Sequence, residues 1–270
     1  MDFFRYLDVV KIRTNAIRLA KRRYYNMTHR LIPLLLAIIS VVPVFSQDRK
    51  VENRPYIDLR PFHFGVLVGT HLQDIEMLNV GPQMVELEDG TTVERLISCD
   101  QDRWDPGFNV GVLGELRLNT NFQLRLAPTM YFGTRHFTFI NHSEERLTEE
   151  HQDLKTAYIA APINLIFSAP RFNNHRPYMM MGIDPMINLS GKDEQFIKLK
   201  RYDLFLELGL GCDFYLPFFK LRPELKFMIS LTNSLDTDHV NHMKNKNMIM
   251  YANSVSEART KLFVLTFYFE

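Results

Sequence analysis

Four side chains that could bind a metal ion lie in one polar stretch late in the sequence. They are Asp236, Asp238, His239 and His242, and the spacing of the two histidines occurs in metal sites. A zinc site usually has three or four ligands, and a cysteine or a second ligand pair completes the set. This stretch has neither, so we expect a solvated loop that holds no metal, and no cofactor elsewhere in the chain.

His63 is the residue best suited to acid–base catalysis. A hydroxyl or thiol nucleophile needs such a base within hydrogen-bond reach. No serine is an obvious strand neighbour of His63, and the sequence has no His-x-Ser stretch. The run Met179–Met181 could attract a soft metal, but adjacent strand residues point to opposite faces, so Met180 cannot join the other two thioethers. The sequence therefore predicts no enzyme activity.

Charged side chains at alternate positions of apolar segments form the largest set of candidate site residues. If their faces share one confined space, six acids meet five bases, and this near-neutral balance is what buried charge requires. The sequence therefore predicts an interior ionic network made by Glu115, Arg117, Arg125, Asp184, Asp203, Glu207, Asp213, Lys220, Arg222, Glu224 and Lys226.

The segments that carry these charges have the two-residue period of β-strands. In 203–216 every second residue is apolar from Leu204 to Leu216, and the intervening positions are mostly polar or small. Segment 220–231 repeats the arrangement after a short turn at 217–219. The same pattern, stronger in some segments than in others, predicts eight strands at about 62–70, 108–118, 122–132, 157–167, 178–189, 203–216, 220–231 and 260–269.

The connections between these strands indicate a membrane barrel. Most of the strands have about the 9 to 11 residues that a tilted strand needs to cross a bilayer core. Long connections at 71–107, 134–155 and 232–258 and short ones at 119–121 and 217–219 are typical of outer loops and periplasmic turns. A soluble eight-stranded calyx has the same period, but its charged faces would point outward and need no balance of sign. We expect an all-β, eight-stranded antiparallel transmembrane up-and-down barrel with both termini periplasmic.

The first part of the sequence predicts export. Residues 31–44 are almost wholly apolar and precede a small-residue cleavage site, so 27–46 reads as a signal peptide, and 1–26 as an upstream extension or a long basic region. Residues 47–60 then form a short periplasmic segment, and 61–270 the barrel. Without the eight basic and two acidic residues of 1–46, the chain keeps 24 basic and 29 acidic residues, which argues against binding of nucleic acid.

The last predicted strand places Phe267 and Phe269 on its apolar face, followed by Glu270. It resembles the terminal aromatic strand by which outer-membrane barrels are passed to the barrel assembly machinery, although most such strands end on the aromatic residue itself. The resemblance implies that machinery and outer-membrane lipid as partners.

Four stretches carry a resemblance to a narrower family: RPFHFG at 60–65, APINL at 161–165, FYLPFFKLRPE at 214–224 and FYFE at 267–270. They are similar to the PorT proteins of Bacteroidota, within the small outer-membrane β-barrel domains of that phylum. The resemblance implies a part in type IX secretion and gliding motility, with other secretion proteins as partners and no catalytic residues. A generic barrel for adhesion or envelope stability, a lipid A-modifying enzyme and a small-solute channel are the alternatives.

Overall fold

The computed structural model describes residues 51–86, 91–101, 103–143, 148–190, 196–237 and 246–270. Segments 1–26 and 27–46 lie outside these residues. A 3-10 helix spans Ile57–Leu59 and an α-helix, α1, spans Lys246–Ala252. No helix among the described residues is long and apolar enough to cross a membrane. The strands are β1 (Phe62–Asn79), β2 (Pro82–Glu86), β3 (Thr92–Asp100), β4 (Asp105–Arg117), β5 (Phe122–Leu126), β6 (Thr129–Asn141), β7 (Thr148–Ala160), β8 (Ile163–Ser168), β9 (His175–Asn188), β10 (Tyr202–Tyr215), β11 (Lys220–Ser230) and β12 (Val255–Phe269).

The strands close into a ring in chain order. Strand β1 pairs with β12 on one side and with β4 on the other, and β9, β10, β11 and β12 pair in succession. Strands β5 and β6 are two parts of one strand, as are β7 and β8. A proline stands at each break, Pro128 and Pro162, and proline has no N–H to donate to the ladder. Eight antiparallel strands result, which confirms the predicted fold class.

The two ends of the barrel differ. Short connections at 118–121, 169–174 and 216–219 mark one end, called the turn end below, and both residue 62 and residue 269 lie there. The opposite, loop end carries the hairpin β2–β3 and helix α1. At the turn end, residues 51–60 are tied to the barrel because Arg171 Nη2 donates to the Asn53 carbonyl at 2.6 Å and Tyr215 Oη donates to Asp58 at 2.7 Å.

The half of the barrel nearer the turn end is called the turn half, or lower barrel, below. Apolar side chains cover its outside, and polar side chains fill its inside. Phe64 and Leu210 are 75% and 65% exposed, whereas Arg125 and Glu207 are completely buried. The outward apolar residues form a belt from the turn end up to about Leu72 on β1, Phe132 on β6 and Phe263 on β12. The predicted orientation of the strands, polar side inward, is confirmed.

Above this belt the alternation reverses its phase. Ile75, Phe137, Phe139 and Leu154 point inward and are buried, while the outward positions become polar, as at Glu76. The strands therefore continue well past the predicted boundaries: β1 extends to Asn79, β6 to Asn141, and β7 begins at Thr148. The prediction of long loops at 71–107 and 134–155 was wrong, since most of these residues are strand, and 232–258 contains α1 and the start of β12.

The inward apolar side chains of the loop end form a core that closes the barrel. Segment 196–199 enters this end, where Gln152 exchanges two hydrogen bonds of 3.0 and 3.1 Å with the backbone of Ile197. Phe139 packs edge-on against Phe196 and Tyr251, the latter in α1. The core comprises Ile75, Ile97, Cys99, Phe137, Phe139, Leu154, Ile197, Leu199, Leu235, Tyr251, Val255 and Ala258.

Candidate functional site

The inward charges of the turn half meet at one buried guanidinium, that of Arg222 on β11. Its Nε donates to Asp213 Oδ1 at 2.6 Å, and its Nη1 donates to Glu115 Oε2 at 2.7 Å and to Glu270 Oε1 at 2.6 Å. The planar fork of arginine suits this role, because its donors point in fixed and divergent directions. Three strands, β4, β10 and β11, are thereby joined across the lumen to the last residue.

A second guanidinium continues the network. Arg125 on β5 donates to Glu224 Oε2 at 2.5 Å and to Glu115 Oε2 at 3.2 Å. Glu224 also accepts hydrogen bonds from Tyr178 at 2.8 Å and Tyr268 at 2.9 Å. A carboxylate taken out of water requires such a set of donors, and here they come from three elements: Arg125 from β5, Tyr178 from β9 and Tyr268 from β12.

Glu270 is part of this network, although its position after the terminal aromatic residues counted as a departure from the barrel pattern. Lys220 Nζ lies 2.5 Å from Glu270 Oε2, and His63 Nδ1 lies 3.5 Å from the same oxygen. The backbones of residues 220 and 270 exchange two hydrogen bonds of 2.9 and 3.0 Å. The inward phase of Lys220 and His63 was visible in the sequence, but their convergence on Glu270 was not.

Nearer the middle of the barrel, one buried ammonium lies beside a buried carboxylate, and a second acid follows on the neighbouring strand. Lys226 Nζ lies 3.7 Å from Glu207 Oε1 and 3.5 Å from the Tyr131 hydroxyl. Asp184 is the diagonal neighbour of Glu207 on the same inner face, because Glu207 pairs with Gly182 and Phe205 pairs with Asp184. Both acidic residues are completely buried. The polar side chains of this level and the network below it fill the lower lumen.

Two of the predicted network residues lie elsewhere. Arg117 is the last residue of β4, and its guanidinium donates to the carbonyls of Asn119 and Leu59 at the rim of the turn end, at 3.3 and 3.2 Å. Asp203 lies near the loop end, where the hydroxyls of Ser230, Thr232 and Ser234 donate to it at 2.5–2.7 Å. Both residues face inward, but at heights from which they do not reach the charges of opposite sign.

The described histidines lie at separate positions and contact different partners. His63 contacts Glu270, and His142 Nε2 lies 2.9 Å from the hydroxyl of Ser98 on the outer surface, where no carboxylate is hydrogen-bonded to that ring in the described chain. His136 is oriented by Asp105, 2.8 Å from its Nδ1. Within the described residues no group of three or more potential metal ligands occurs. Asp238, His239 and His242 lie outside the described residues.

The aromatic residues proposed as an assembly signal point away from the lumen. Phe269 is 37% exposed on the apolar belt and lies 6.0 Å from the ring of Phe219 on the neighbouring turn. Phe267 is half-buried on the same face. The intervening Tyr268 points into the network described above, so the last strand contributes alternately to the belt and to the lumen.

Comparison with solved structures finds bacterial surface barrels. OprG from Pseudomonas aeruginosa matches 76% of this chain and 93% of its own, with 11% identity and a TM-score of 0.41. Neisserial surface protein A matches 77% and 98% of the two chains, with 10% identity and a TM-score of 0.38. The outer membrane protease OmpT from Escherichia coli matches 77% and 95%, with 13% identity and a TM-score of 0.38. No curated protein matches the sequence significantly.

The family comparison is more direct. The model described as "Outer membrane protein beta-barrel domain" matches residues 45–236, which is more than half of the chain. The match includes the first seven strands of the ring, with their apolar outer belt and charged lumen. The chain belongs to this outer-membrane β-barrel family.

Proposed function

We propose that this chain is a non-enzymatic outer-membrane barrel that serves the type IX protein secretion machinery through its surfaces. The family implies the outer membrane, and the resemblance to PorT proteins in four stretches supports the narrower role. The observation that carries the proposal is the filled lumen. A barrel that neither conducts nor catalyses can contribute only through contacts of its outer surface and rims, or through its stability in the envelope.

Two layers of side chains close the lumen. The network around Arg222 and Arg125 fills the turn half, and the apolar core around Phe139 fills the loop end. Eight strands enclose an interior that side chains roughly fill. Conduction would require both layers to move aside.

We therefore expect the purified protein to show no steady conductance in planar bilayers. Single-channel recording at neutral pH checks this, with a general porin inserted into the same membrane as the positive control. Stable open levels that scale with protein concentration would contradict the closed lumen and favour the channel alternative.

The turn end is assigned to the periplasm in this proposal. Short turns are periplasmic and longer elements are extracellular in bacterial barrels. The hairpin β2–β3 and helix α1 then face the outside of the cell. Among the described strands β2 pairs with β3 alone, and Met84 on it is 69% exposed, which makes this hairpin a candidate contact surface for a secretion partner.

Deleting the gene tests the secretion role. We expect cargo with a C-terminal sorting domain to disappear from the medium and accumulate in the periplasm, and a plasmid copy of the gene to restore secretion. Immunoblots of the two fractions measure the change. Unchanged secretion in the deletion strain would reject the role and leave a barrel for adhesion or envelope stability.

A surface variant separates a partner contact from simple loss of the barrel. Met84→Glu adds charge to the exposed face of β2, and Glu94→Gln on the paired residue of β3 is the control that leaves Met84 in place. We expect the first to reduce secretion and the second to leave it unchanged, with equal amounts of both proteins in the outer membrane. Equal secretion in the two strains would remove β2 as the contact surface.

A further inference from the structure

A pocket of 700 Å³ opens on the outer wall of the barrel at the upper edge of the apolar belt. Strands β4, β6 and β7 and the segment before β4 form it. Its lower part is apolar, since Phe108 and Phe132 stack there with ring centroids 5.0 Å apart. Its upper part is polar and contains Arg103, Lys155 and the hydroxyl of Thr134. The pocket therefore crosses from the hydrocarbon level to the headgroup level.

The polar part is held in place by an irregularity of the sheet. Strand β6 pairs with β4 through Gly133 and with β3 from Thr138 onward, and the residues between these two points pair with no described strand on that side. The wholly buried Asp105 occupies this gap: it accepts from the backbone N–H of His136 at 2.8 Å and from Arg103 Nε at 3.3 Å. The second contact fixes the Arg103 guanidinium at the rim of the pocket.

Charge at this pocket is favourable for an anion. Arg103 and Lys155 are basic side chains, and both are exposed. Lys155 forms no ion pair with any residue that the structure describes. Asp105 is the one carboxylate among the described lining residues, and its oxygens are already turned to donors, including Gln101 Nε2 at 3.1 Å. Asp153 lies just outside, 3.8 Å from His136 Nε2.

Lys261 is a cation at a similar height that does have an ionic partner. It lies on the outer face of β12, two residues above Phe263, and its ammonium is bound to Glu76. Lys155 thus differs from Lys261 in having no ionic partner among the described residues, and in lining a pocket whose lower part is aromatic.

We propose that this pocket binds the phosphate of a lipid A-type glycolipid in the outer leaflet, with Arg103 and Lys155 on the phosphate and an acyl chain against Phe108 and Phe132. An amphipathic cleft at the headgroup level suits a lipid better than a soluble anion, because its apolar half gains nothing from free phosphate. The inference is independent of the secretion role. It rests on the assignment of the loop end to the cell exterior.

Native mass spectrometry of the full chain in detergent tests the site. We expect binding of phosphorylated lipid A, about tenfold weaker binding after its phosphate is removed, and the same loss in the Arg103→Gln/Lys155→Gln variant; tenfold corresponds to about 1.4 kcal/mol. The matched control is Arg259→Gln/Lys261→Gln, which removes two cations from the outer face of β12 and should bind as the unaltered protein does.

Four results would overturn the proposal: equal binding of the dephosphorylated lipid, unchanged binding in the pocket variant, an equal loss in the β12 control, or equal binding of phosphatidylglycerol. Inorganic phosphate at millimolar concentration should not displace the lipid, and displacement would indicate a soluble-anion site instead. Retained heat-dependent mobility on a detergent gel shows that each variant still forms the barrel.

Discussion

Replacing Arg222 with methionine is expected to lower the free energy of unfolding of the barrel by about 3 to 5 kcal/mol, the range for loss of one partner of a buried ion pair. Arg222 is completely buried and donates to Asp213, Glu115 and Glu270. Methionine keeps much of the volume but removes the shared guanidinium, so that Glu115 keeps Arg125 as a cationic partner and Asp213 and Glu270 keep Lys220. Urea unfolding in lipid vesicles, followed by tryptophan fluorescence and by gel mobility, measures the change.

Arg117→Met is the matched control. It removes the same charge from the inward side of β4, but the acceptors of Arg117 among the described residues are backbone carbonyls at the rim. We expect a loss below about 1 kcal/mol, as for exposed charge contacts. Equal effects of the two variants would mean that the network contributes little beyond the packing of its aliphatic stems.

A second variant distinguishes uncompensated charge from a packing defect. Adding Asp213→Asn and Glu115→Gln to Arg222→Met removes two of the orphaned charges while retaining nearly the same shape. We expect part of the lost stability to return, because an unpaired buried charge costs more than a neutral amide. A further loss on adding these two changes would show that the cavity and not the charge dominates.

The strands of the belt could be predicted from the sequence because the membrane imposes one rule on all of them. A residue that faces hydrocarbon must be apolar, and the residue next to it faces the lumen. Segment 203–216 follows this rule over its whole length and was placed within one residue at each end as Tyr202–Tyr215. The closed ring then followed from eight such segments with short connections.

The upper barrel could not be predicted in the same way, because there the rule is inverted. Above Leu72 the outside of β1 meets water, and Ile75 turns the apolar face inward. The pattern with apolar residues at the outward positions ends where the apolar residues move to the inward positions. This pattern therefore predicts loop where the strand continues. The two-residue alternation continues above Leu72, but the apolar residues change from the outward to the inward positions.

The sequence predicts which residues belong to the network better than it predicts the contacts between them. Alternation gives the face on which a residue lies, but an ion pair also requires equal height along the barrel, and height depends on the register and tilt of every strand between the partners. Asp203 illustrates this: it has the right face, but its height places it among the hydroxyls of 230–234. Glu270 illustrates the reverse: it is outside the predicted set, but it joins the network because Lys220 lies opposite it.

The second large effect is expected at Gly182 on β9, where two strands approach too closely for any side chain. A Cβ on Gly182 would overlap the carbonyl oxygen of Ile163 and the amide oxygen of Asn164, its partner across the β8–β9 ladder, and would lie 2.9 Å from Asn164 Cα. Two of these atoms are backbone, held by the ladder, so relief requires the strands to separate. We expect Gly182→Ala to lower the free energy of unfolding by about 3 kcal/mol, at the upper end of the usual cost of overpacking.

Gly114→Ala on β4 is the control for this close approach. It makes the same chemical change in another paired strand, but the nearest atom to the added Cβ is the Leu126 carbonyl oxygen at 3.7 Å, an ordinary contact distance. Since alanine restricts the unfolded chain more than glycine does, we expect Gly114→Ala to be neutral or to stabilise the barrel by up to about 1 kcal/mol. Urea midpoints of both variants in the same vesicles check the pair. A neutral Gly182→Ala would mean that β8 and β9 can separate at this point without cost.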